Sequence, residues 1–288
     1  MFRDELTNAK VIFTQSNAPR QYRFIDVKNT GAAFGHALRS LWNWQKGDVL
    51  GFYSPNCVDT PALHFGTFWA GGIASPANPT YSVGELAFQL KNSGAKALVT
   101  QAFCLENALE AARIAGIPKN RILLVGNEKN SEVLHFIDFL SDARFTDPTD
   151  RVVNSPEDAA CILYSSGTTG LPKGVQTTHQ NTVFNLLAYQ EVQGNLSSKL
   201  GSDGRGDTII CVLPFFHAFG LILGMTRRCW GRSHFLFQIV SRSSPETMSS
   251  LEPILIRQML TPSLPRTRLE IQVVARKHTC WCKPCGIR

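Results

Sequence analysis

Between Tyr22 and about Gly126, short apolar segments alternate with segments of helical pattern, and this alternation constrains the fold more than any other feature. Strands are predicted at residues 48–53, 73–76, 96–100 and 121–126. Helices are predicted at residues 30–42, 56–71, 82–92 and 104–115. Strands that alternate with helices of about a dozen residues pair in parallel through right-handed crossovers. We therefore predict an α/β fold with a doubly wound, largely parallel sheet.

Local signals mark the ends of these helices. Ser82 is suited to the N-cap position, and Glu85, three residues later, completes a capping box. Gly94 follows the same helix and suits a left-handed C-terminal residue. In the helix predicted at residues 30–42, the buried stripe is expected to include Ala33, Leu38 and Leu41.

The composition is that of a globular protein with a substantial core. Of the 288 residues, 43% are hydrophobic and 18% are charged, which argues against disorder. The longest apolar stretch, residues 62–74, is too short to cross a bilayer. The N-terminal residues carry charges of both signs and lack the apolar segment of a secretory signal. These features predict a cytoplasmic protein without a membrane span.

Charge and cysteine divide the chain near residue 225. Residues 225–288 hold 11 Lys and Arg against 3 acidic residues, whereas residues 1–224 hold 18 basic and 19 acidic residues. Basicity therefore belongs to the tail and does not indicate nucleic-acid binding by the main domain. The cysteines at 57, 104, 161 and 211 are predicted to be buried free thiols, and those at 229, 280, 282 and 285 lack zinc-finger spacing.

A loop rich in glycine and hydroxyl groups follows the apolar segment 159–164, which is predicted to be a buried strand. Its glycines, including Gly174, can adopt positive φ and let the backbone approach a ligand closely. Successive N–H groups can then hold an anion, with hydroxyls and one lysine as further donors. The predicted nucleotide-binding residues are Ser165, Ser166, Gly167, Thr168, Thr169, Gly170 and Lys173. The loop is not a Walker A motif, and the alternative is a flexible linker.

The segment 164–175, YSSGTTGLPKGV, resembles the phosphate-binding signature of the adenylate-forming (AMP-binding) superfamily. The segment 211–221, CVLPFFHAFGL, and the early stretches GDVLGFYSPN and GGIASPANPTYSVGELAFQLKNSGAKALVT agree with its acyl-CoA synthetase and 4-coumarate-CoA ligase branch. The resemblance covers about residues 20–224. It implies a ligase that uses ATP, Mg²⁺ and coenzyme A, first forming an acyl-adenylate from a carboxylic acid and then a thioester. Fungal ligases of this kind also serve secondary-metabolite and toxin pathways.

The resemblance also implies roles for residues near the acyl group. His217 would orient the substrate carboxylate, although a packed core histidine is the alternative. Phe215, Phe216 and Phe219 would line the acyl pocket, or else belong to the core. No residue is assigned as a metal ligand.

Residues 1–224 are therefore predicted to be a partial, incomplete AMP-binding domain, and residues 225–288 a poorly ordered tail outside the family pattern. We expect deletion of that tail to change stability little. The C-terminus is not a peroxisomal S-K-L-type signal, although some fungal relatives have one. Because the later motifs of longer relatives are missing, a catalytically inactive truncated remnant and a nucleotide-binding interaction fragment stay open beside the ligase.

Overall fold

A computed structural model describes residues 11–15, 20–143, 151–165, 172–193, 208–211, 213–226 and 236–239. The described strands are β1 Val11–Gln15, β2 Gln21–Arg23, β3 Val49–Tyr53, β4 Ile73–Ala77, β5 Ala95–Gln101, β6 Ile122–Val125, β7 Leu134–His135, β8 Ala159–Ser165, β9 Lys173–Thr178, β10 Thr208–Cys211 and β11 Leu236–Ile239. The α-helices are α1 Phe24–Trp42, α2 Thr60–Trp69, α3 Val83–Ser93, α4 Leu105–Ala115, α5 Phe136–Asp142 and α6 His179–Gln193. A π-helix spans Phe219–Thr226.

Seven strands form the main sheet, in the order β7-β6-β5-β3-β4-β8-β9. All of its pairs are parallel except β8 with β9. The chain leaves β3 for β4 on one side and then crosses back to β5 on the other, which is a doubly wound arrangement. The α/β class and the largely parallel sheet predicted from the sequence are confirmed.

Helices cover both faces of this sheet, and alternate residues of each strand face opposite layers. In β5, Ala97 and Val99 belong to the core that contains α1 and α2, whereas Leu98 belongs to the core that contains α3 and α4. The strands are therefore apolar on both faces, which explains their unbroken hydrophobic runs.

The predicted ends of α3 are confirmed in detail. Ser82 is the N-cap, its Oγ accepts a hydrogen bond from the Glu85 backbone N–H, and the Glu85 carboxylate accepts from the Ser82 N–H at 2.8 Å. Gly94 takes a left-handed φ of 69° at the C-terminus. Local sequence alone is sufficient here because each cap is completed within four residues.

The buried stripe of α1 differs from the prediction. Leu38 is buried, but Leu41 is 43% exposed. The buried face instead includes Gly31 and Gly35, because α1 crosses α2 closely at Gly66. A Cβ on Gly66 would lie 2.6 Å from the Gly31 carbonyl oxygen, so this crossing requires a residue without a side chain.

A second sheet of four strands has the order β10-β11-β1-β2. Its strand β11, Leu236–Ile239, pairs in parallel with both β10 and β1. These four residues lie beyond the boundary predicted at residue 224, yet they form an inner strand. The pairing argues against a tail that is independent of the fold at this point, while the division of the chain at residue 224 stays a prediction.

The turn after β3 ties the start of the chain to the main sheet through Asp59, which is fully buried. Its carboxylate pairs with the Arg20 guanidinium at 2.6 Å and accepts hydrogen bonds from the Tyr22 hydroxyl at 2.9 Å and the Gly126 N–H at 2.9 Å. Burial, followed by the Asp59 charge, raises the pKa of Tyr22 well above its usual value.

The four cysteines predicted to be buried free thiols are confirmed as such. Burial raises the pKa of Cys104 and of Cys161 to about 12, and raises that of Cys57 and Cys211 further. These thiols are therefore protonated at neutral pH and poorly reactive. No described helix combines the length and apolarity that a membrane crossing requires.

Candidate functional site

The glycine-rich loop connects two antiparallel strands. Strand β8 leads into it and β9 leads out, and Ser165 and Lys173 are opposite partners at the last pair of the hairpin. Of the predicted nucleotide-binding residues, Ser166, Gly167, Thr168, Thr169 and Gly170 lie outside the described residues. The structure therefore brings Ser165 and Lys173 together at the base of the loop.

Ser165 and Lys173 are both exposed at the base of this hairpin. The hydroxyl of Ser165 can donate or accept a hydrogen bond, and the ammonium of Lys173 carries three donors and a positive charge. Because β8 is a strand of the parallel sheet, its carboxyl end opens at the edge where α/β folds bind ligands. Two donors beside a loop of hydroxyls and glycines form a chemically suitable site for phosphate oxygens.

Gly174 has a structural role that differs from the one predicted. It lies within β9 in the extended region and does not use the positive φ expected of it. A Cβ at this position would lie 3.1 Å from Cζ of Tyr164, so glycine makes room for the tyrosine ring. The Tyr164 hydroxyl donates to Oδ1 of Asn92 on α3 at 2.6 Å. This contact fixes the end of β8 against the neighbouring helix.

Helix α6 begins directly after β9 with a reciprocal cap. The Asn181 N–H donates to Oγ1 of Thr178, and the Thr178 N–H donates to Oδ1 of Asn181, both at 3.1 Å. His179 packs its ring edge-on against Phe68 at 5.3 Å, and burial lowers its pKa. Its ring covers the start of α6, and α6 then contacts the π-helix.

The residues predicted to contact the acyl group lie on one short segment before and at the start of the π-helix. His217 is exposed, and its Nδ1 accepts a hydrogen bond from the Phe219 N–H at 3.4 Å. With Nδ1 as acceptor, the neutral ring carries its proton on Nε2, where it can be donated to a ligand. Phe219 is 44% exposed and Phe216 is half-buried, whereas the side chain of Phe215 lies in the main core.

Asn56 is a residue that the sequence reasoning missed. Its side chain, buried after β3, donates from Nδ2 to the Leu213 carbonyl at 2.9 Å and the Cys211 carbonyl at 3.3 Å, and its Oδ1 accepts from the Phe215 N–H at 2.7 Å. The sequence marked Asn56 only as the start of a helix, which begins instead at Thr60. The only signal in the sequence was a polar residue shortly after a predicted strand, a place where a buried side chain would need hydrogen-bond partners.

A shallow cavity of about 130 Å³ lies at the carboxyl ends of β5 and β6, and it contains none of the predicted site residues. Its lining residues are Gln15, Cys57, Val58, Gln101, Ala102, Phe103, Val125, Gly126, Asn127 and Glu128. The hairpin is the stronger candidate site, because its exposed hydroxyl and ammonium donors suit phosphate oxygens, whereas the cavity lining has no lysine, arginine or histidine.

Sequence comparison assigns the family. A sequence model described as AMP-binding enzyme matches residues 5–257, which is most of the 288-residue chain. The chain belongs to the AMP-binding enzyme family. The match includes the hairpin loop and the segment that carries His217. It also continues past residue 224 and includes β11.

Plant ligases are among the relatives of this AMP-binding protein. It is 34% identical over 205 residues to the 4-coumarate–CoA ligase of Pinus taeda, covering 70% of this chain and 36% of the relative. It is 31% identical over 211 residues to 4-coumarate–CoA ligase 1 of Solanum tuberosum, covering 70% and 35%. The chain thus spans about a third of the length of these relatives.

Solved structures of the same fold include two aryl-CoA ligases. The anthranilate CoA ligase AuaEII, in complex with anthranoyl-AMP, matches with a TM-score of 0.71 at 21% identity, over 88% of this chain and 46% of that chain. The benzoate CoA ligase of Burkholderia xenovorans LB400 matches with a TM-score of 0.70 at 18% identity, over 91% and 51%. At these identities the likeness establishes the fold, of which this chain represents about half.

Proposed function

We propose that this member of the AMP-binding family is an ATP-dependent, AMP-forming acyl-CoA ligase. It would activate a carboxylic acid as acyl-adenylate and transfer the acyl group to coenzyme A. The observation that carries the proposal is the hairpin, which places the exposed Ser165 hydroxyl and Lys173 ammonium opposite each other at the base of a glycine- and hydroxyl-rich loop. Family membership supports the same chemistry.

The loop would bind the phosphates of ATP. Lys173 would offset the negative charge of the phosphates as the carboxylate approaches, since two anions must meet in the first step. Ser165, together with Ser166, Gly167, Thr168, Thr169 and Gly170, would supply hydroxyl and backbone donors. Such donors are most effective when they are held in place before the reaction, and the paired ends of the hairpin provide that restraint.

The acid would be held by the segment that carries His217. Its Nε2–H, left available because Nδ1 accepts from the Phe219 N–H, would donate to a carboxylate oxygen and orient it. Phe216 and Phe219 would contact the acyl group, while Phe215 supports the segment from the core. The named acids of the relatives and structural neighbours, 4-coumarate, anthranilate and benzoate, favour an aromatic acid.

Mg²⁺ and coenzyme A would complete the reaction. Within the described part of the chain, no three His, Cys, Asp or Glu side chains come together. Mg²⁺ would enter with the ATP phosphates, because proteins usually hold this ion through one or two carboxylates together with substrate phosphates. A cytoplasmic location and a role in secondary metabolism or toxin biosynthesis stay predictions.

A second candidate function is nucleotide binding without turnover. It is favoured by the hairpin itself, because the exposed Ser165 and Lys173 can hold phosphate oxygens whether or not an acid is activated. The two functions share the hairpin and differ in whether pyrophosphate is released. Binding without turnover would fit an inactive remnant or an interaction fragment.

Acid-dependent pyrophosphate release distinguishes these functions. Purified protein with ATP and Mg²⁺ is assayed against a panel of aromatic and fatty acids, after circular dichroism has shown that it is folded. We expect release that depends on an aromatic acid. ATP binding without release would favour the second function, and a folded protein that does not bind ATP would contradict both.

Substitution of Lys173 tests the hairpin directly. We expect Lys173→Ala to weaken ATP binding about 10- to 100-fold, since a charge-assisted hydrogen bond contributes about 1.5–3 kcal/mol. The matched control is Lys91→Ala, which removes an exposed lysine from α3. Calorimetric titration with ATP measures the affinity, which should be unchanged in the control. Equal affinity in both variants would show that the hairpin does not bind the nucleotide.

A further inference from the structure

The Asn56 side chain directs three hydrogen bonds to one distant segment. It is 6% exposed, and its two donors and its acceptor bond the backbone of residues 211, 213 and 215. A carboxamide is the side chain that offers two N–H donors and a carbonyl acceptor together. Aspartate lacks the donors, and leucine, of similar size, lacks both. The contacts therefore depend on asparagine itself.

These bonds join two different sheets. Asn56 follows β3 in the middle of the seven-stranded sheet, and Cys211 ends β10 in the four-stranded sheet. The backbone that it holds leads directly to His217. Without Asn56, the carbonyl and N–H groups that it bonds would lose partners in a buried environment, which is costly.

The same segment is restrained from its other end. The His217 N–H donates to the Pro214 carbonyl at 3.1 Å, and the Leu221 N–H donates to the His217 carbonyl at 2.9 Å. Gly220 packs directly on the Pro214 carbonyl group, and a Cβ there would lie 3.0 Å from the Leu213 carbonyl oxygen. The exposed ring of His217 is therefore attached to a backbone that is fixed by Asn56 on one side and by Gly220 on the other.

We propose that Asn56 is a positioning residue for the acid-binding segment, which it holds so that the His217 ring projects toward the carboxylate. This proposal rests on the proposed function of His217. Asn56 does not contact the substrate and acts through the backbone of residues 211–215. It should therefore affect acid binding and leave ATP binding at the hairpin intact.

The first test needs no ligand. In Asn56→Ala, we expect the Phe215 amide to exchange its hydrogen at least 10-fold faster, with a shifted NMR signal from the His217 ring, while the amides of α3 keep their exchange rates. The control is Asn185→Ala, which removes an exposed amide that bonds the Asn181 carbonyl within α6. If Asn56→Ala does not fold, Asn56→Ser, which keeps one hydroxyl, replaces it. An unchanged Phe215 amide and His217 signal would overturn the proposal.

The second test separates positioning from general stability. Dissociation constants are measured for benzoate, in the presence of a non-hydrolysable ATP analogue, and for that analogue alone. We expect Asn56→Ala to weaken benzoate binding at least 10-fold while the affinity for the analogue changes less than twofold. Equal losses for both ligands, or none, would overturn the proposal. If the unsubstituted protein binds neither ligand, the proposed function has failed. The positioning role of Asn56 in acid binding then fails with it. The exchange experiment would still report separately on the contact between Asn56 and the Phe215 backbone.

Discussion

Residues 49–125 and the described residues between 159 and 226 are organised by different kinds of interaction. In the first region, β3 and β6 are buried at every position, and α3 and α4 end at left-handed glycines, Gly94 and Gly116. The apolar runs and the terminal glycines are visible in the local sequence, although the burial of β3 and β6 depends on their parallel partner β5. A local pattern is therefore enough to predict where these strands and helices lie.

In the second region, Ser165, Lys173 and His217 are exposed, and distant partners fix the backbone near them. Tyr164 bonds Asn92 across the layer, and Asn56 bonds the backbone of Phe215 from more than a hundred residues away. The first region therefore supplies the residues that anchor the site, and the second supplies the residues with the chemistry to bind a ligand. Substitutions of first-region partners such as Asn56 and Asn92 should therefore affect the site, although these residues are not predicted to contact a ligand.

The largest expected effect comes from Asp59, which lies in the first region but has long-range partners. We expect Asp59→Ala to lower the free energy of unfolding by about 3–5 kcal/mol, because it leaves the Arg20 charge without its buried partner. Urea denaturation measures this loss. The control is Asp138→Ala, whose ion pair with Lys129 is exposed and should contribute less than about 1 kcal/mol. Similar losses in both variants would mean that local signals alone hold the first region.

A substitution in β11 tests whether the chain beyond residue 226 contributes to the stability of the fold. Gln238 pairs with Thr14 on one side and with Ile210 on the other. We expect Gln238→Pro to lower the free energy of unfolding by about 2–3 kcal/mol, because proline has no N–H and fits poorly in an inner strand. Gln238→Ala keeps the N–H and serves as the control. If proline is tolerated as well as alanine, the chain past residue 224 behaves as the separate tail that its composition predicts.

The sequence predicted the parts of the fold that depend on local order. The strands around Leu50 and Leu98 follow from apolar runs, and the ends of α3 follow from Ser82 and Gly94. It did not predict β11, because four residues in a region of altered composition carry little periodic signal. Their place in the sheet depends on pairing with β1 and β10, and the linear sequence does not encode that pairing locally.

For the candidate site, the sequence identified residues that could bind a ligand, but not the residues that hold their backbone in place. Ser165 and Lys173 were predicted from the loop motif, and the structure adds that they are strand partners. Asn56 was missed because its partners are backbone groups, which leave no mark on the residue types at 211–215. Gly174 was assigned to ligand approach, yet its contact is the Tyr164 ring, and only the hairpin register reveals that contact.

The smallest expected effect tests the burial of His64 in the first region. Its ring stacks on Phe52 with centroids 4.0 Å apart, and neither ring nitrogen has a hydrogen-bond partner among the described residues. Burial lowers the pKa of His64 from 6.5 to about 3. In the unfolded chain, His64 is therefore protonated as the pH falls through about 6.5, whereas in the folded chain it is protonated only near pH 3. The His64 contribution to stability is therefore fully present above pH 6.5 and is lost progressively as the pH falls from about 6.5 toward 3.

Replacing His64 with phenylalanine should remove that pH dependence. Between pH 7.5 and 5.5, we expect the unsubstituted protein to lose about 1.4 kcal/mol more unfolding free energy than His64→Phe, which corresponds to one proton with an unfolded pKa near 6.5. Urea denaturation at the two pH values measures the difference. Phe68→Leu, which alters a ring near His64 without removing a titrating group, should change stability at both pH values equally. If the unfolding free energy of His64→Phe falls as much between the two pH values as that of the unsubstituted protein, His64 is protonated in the folded protein. The first region would then rely on polar contacts more than its apolar pattern suggests.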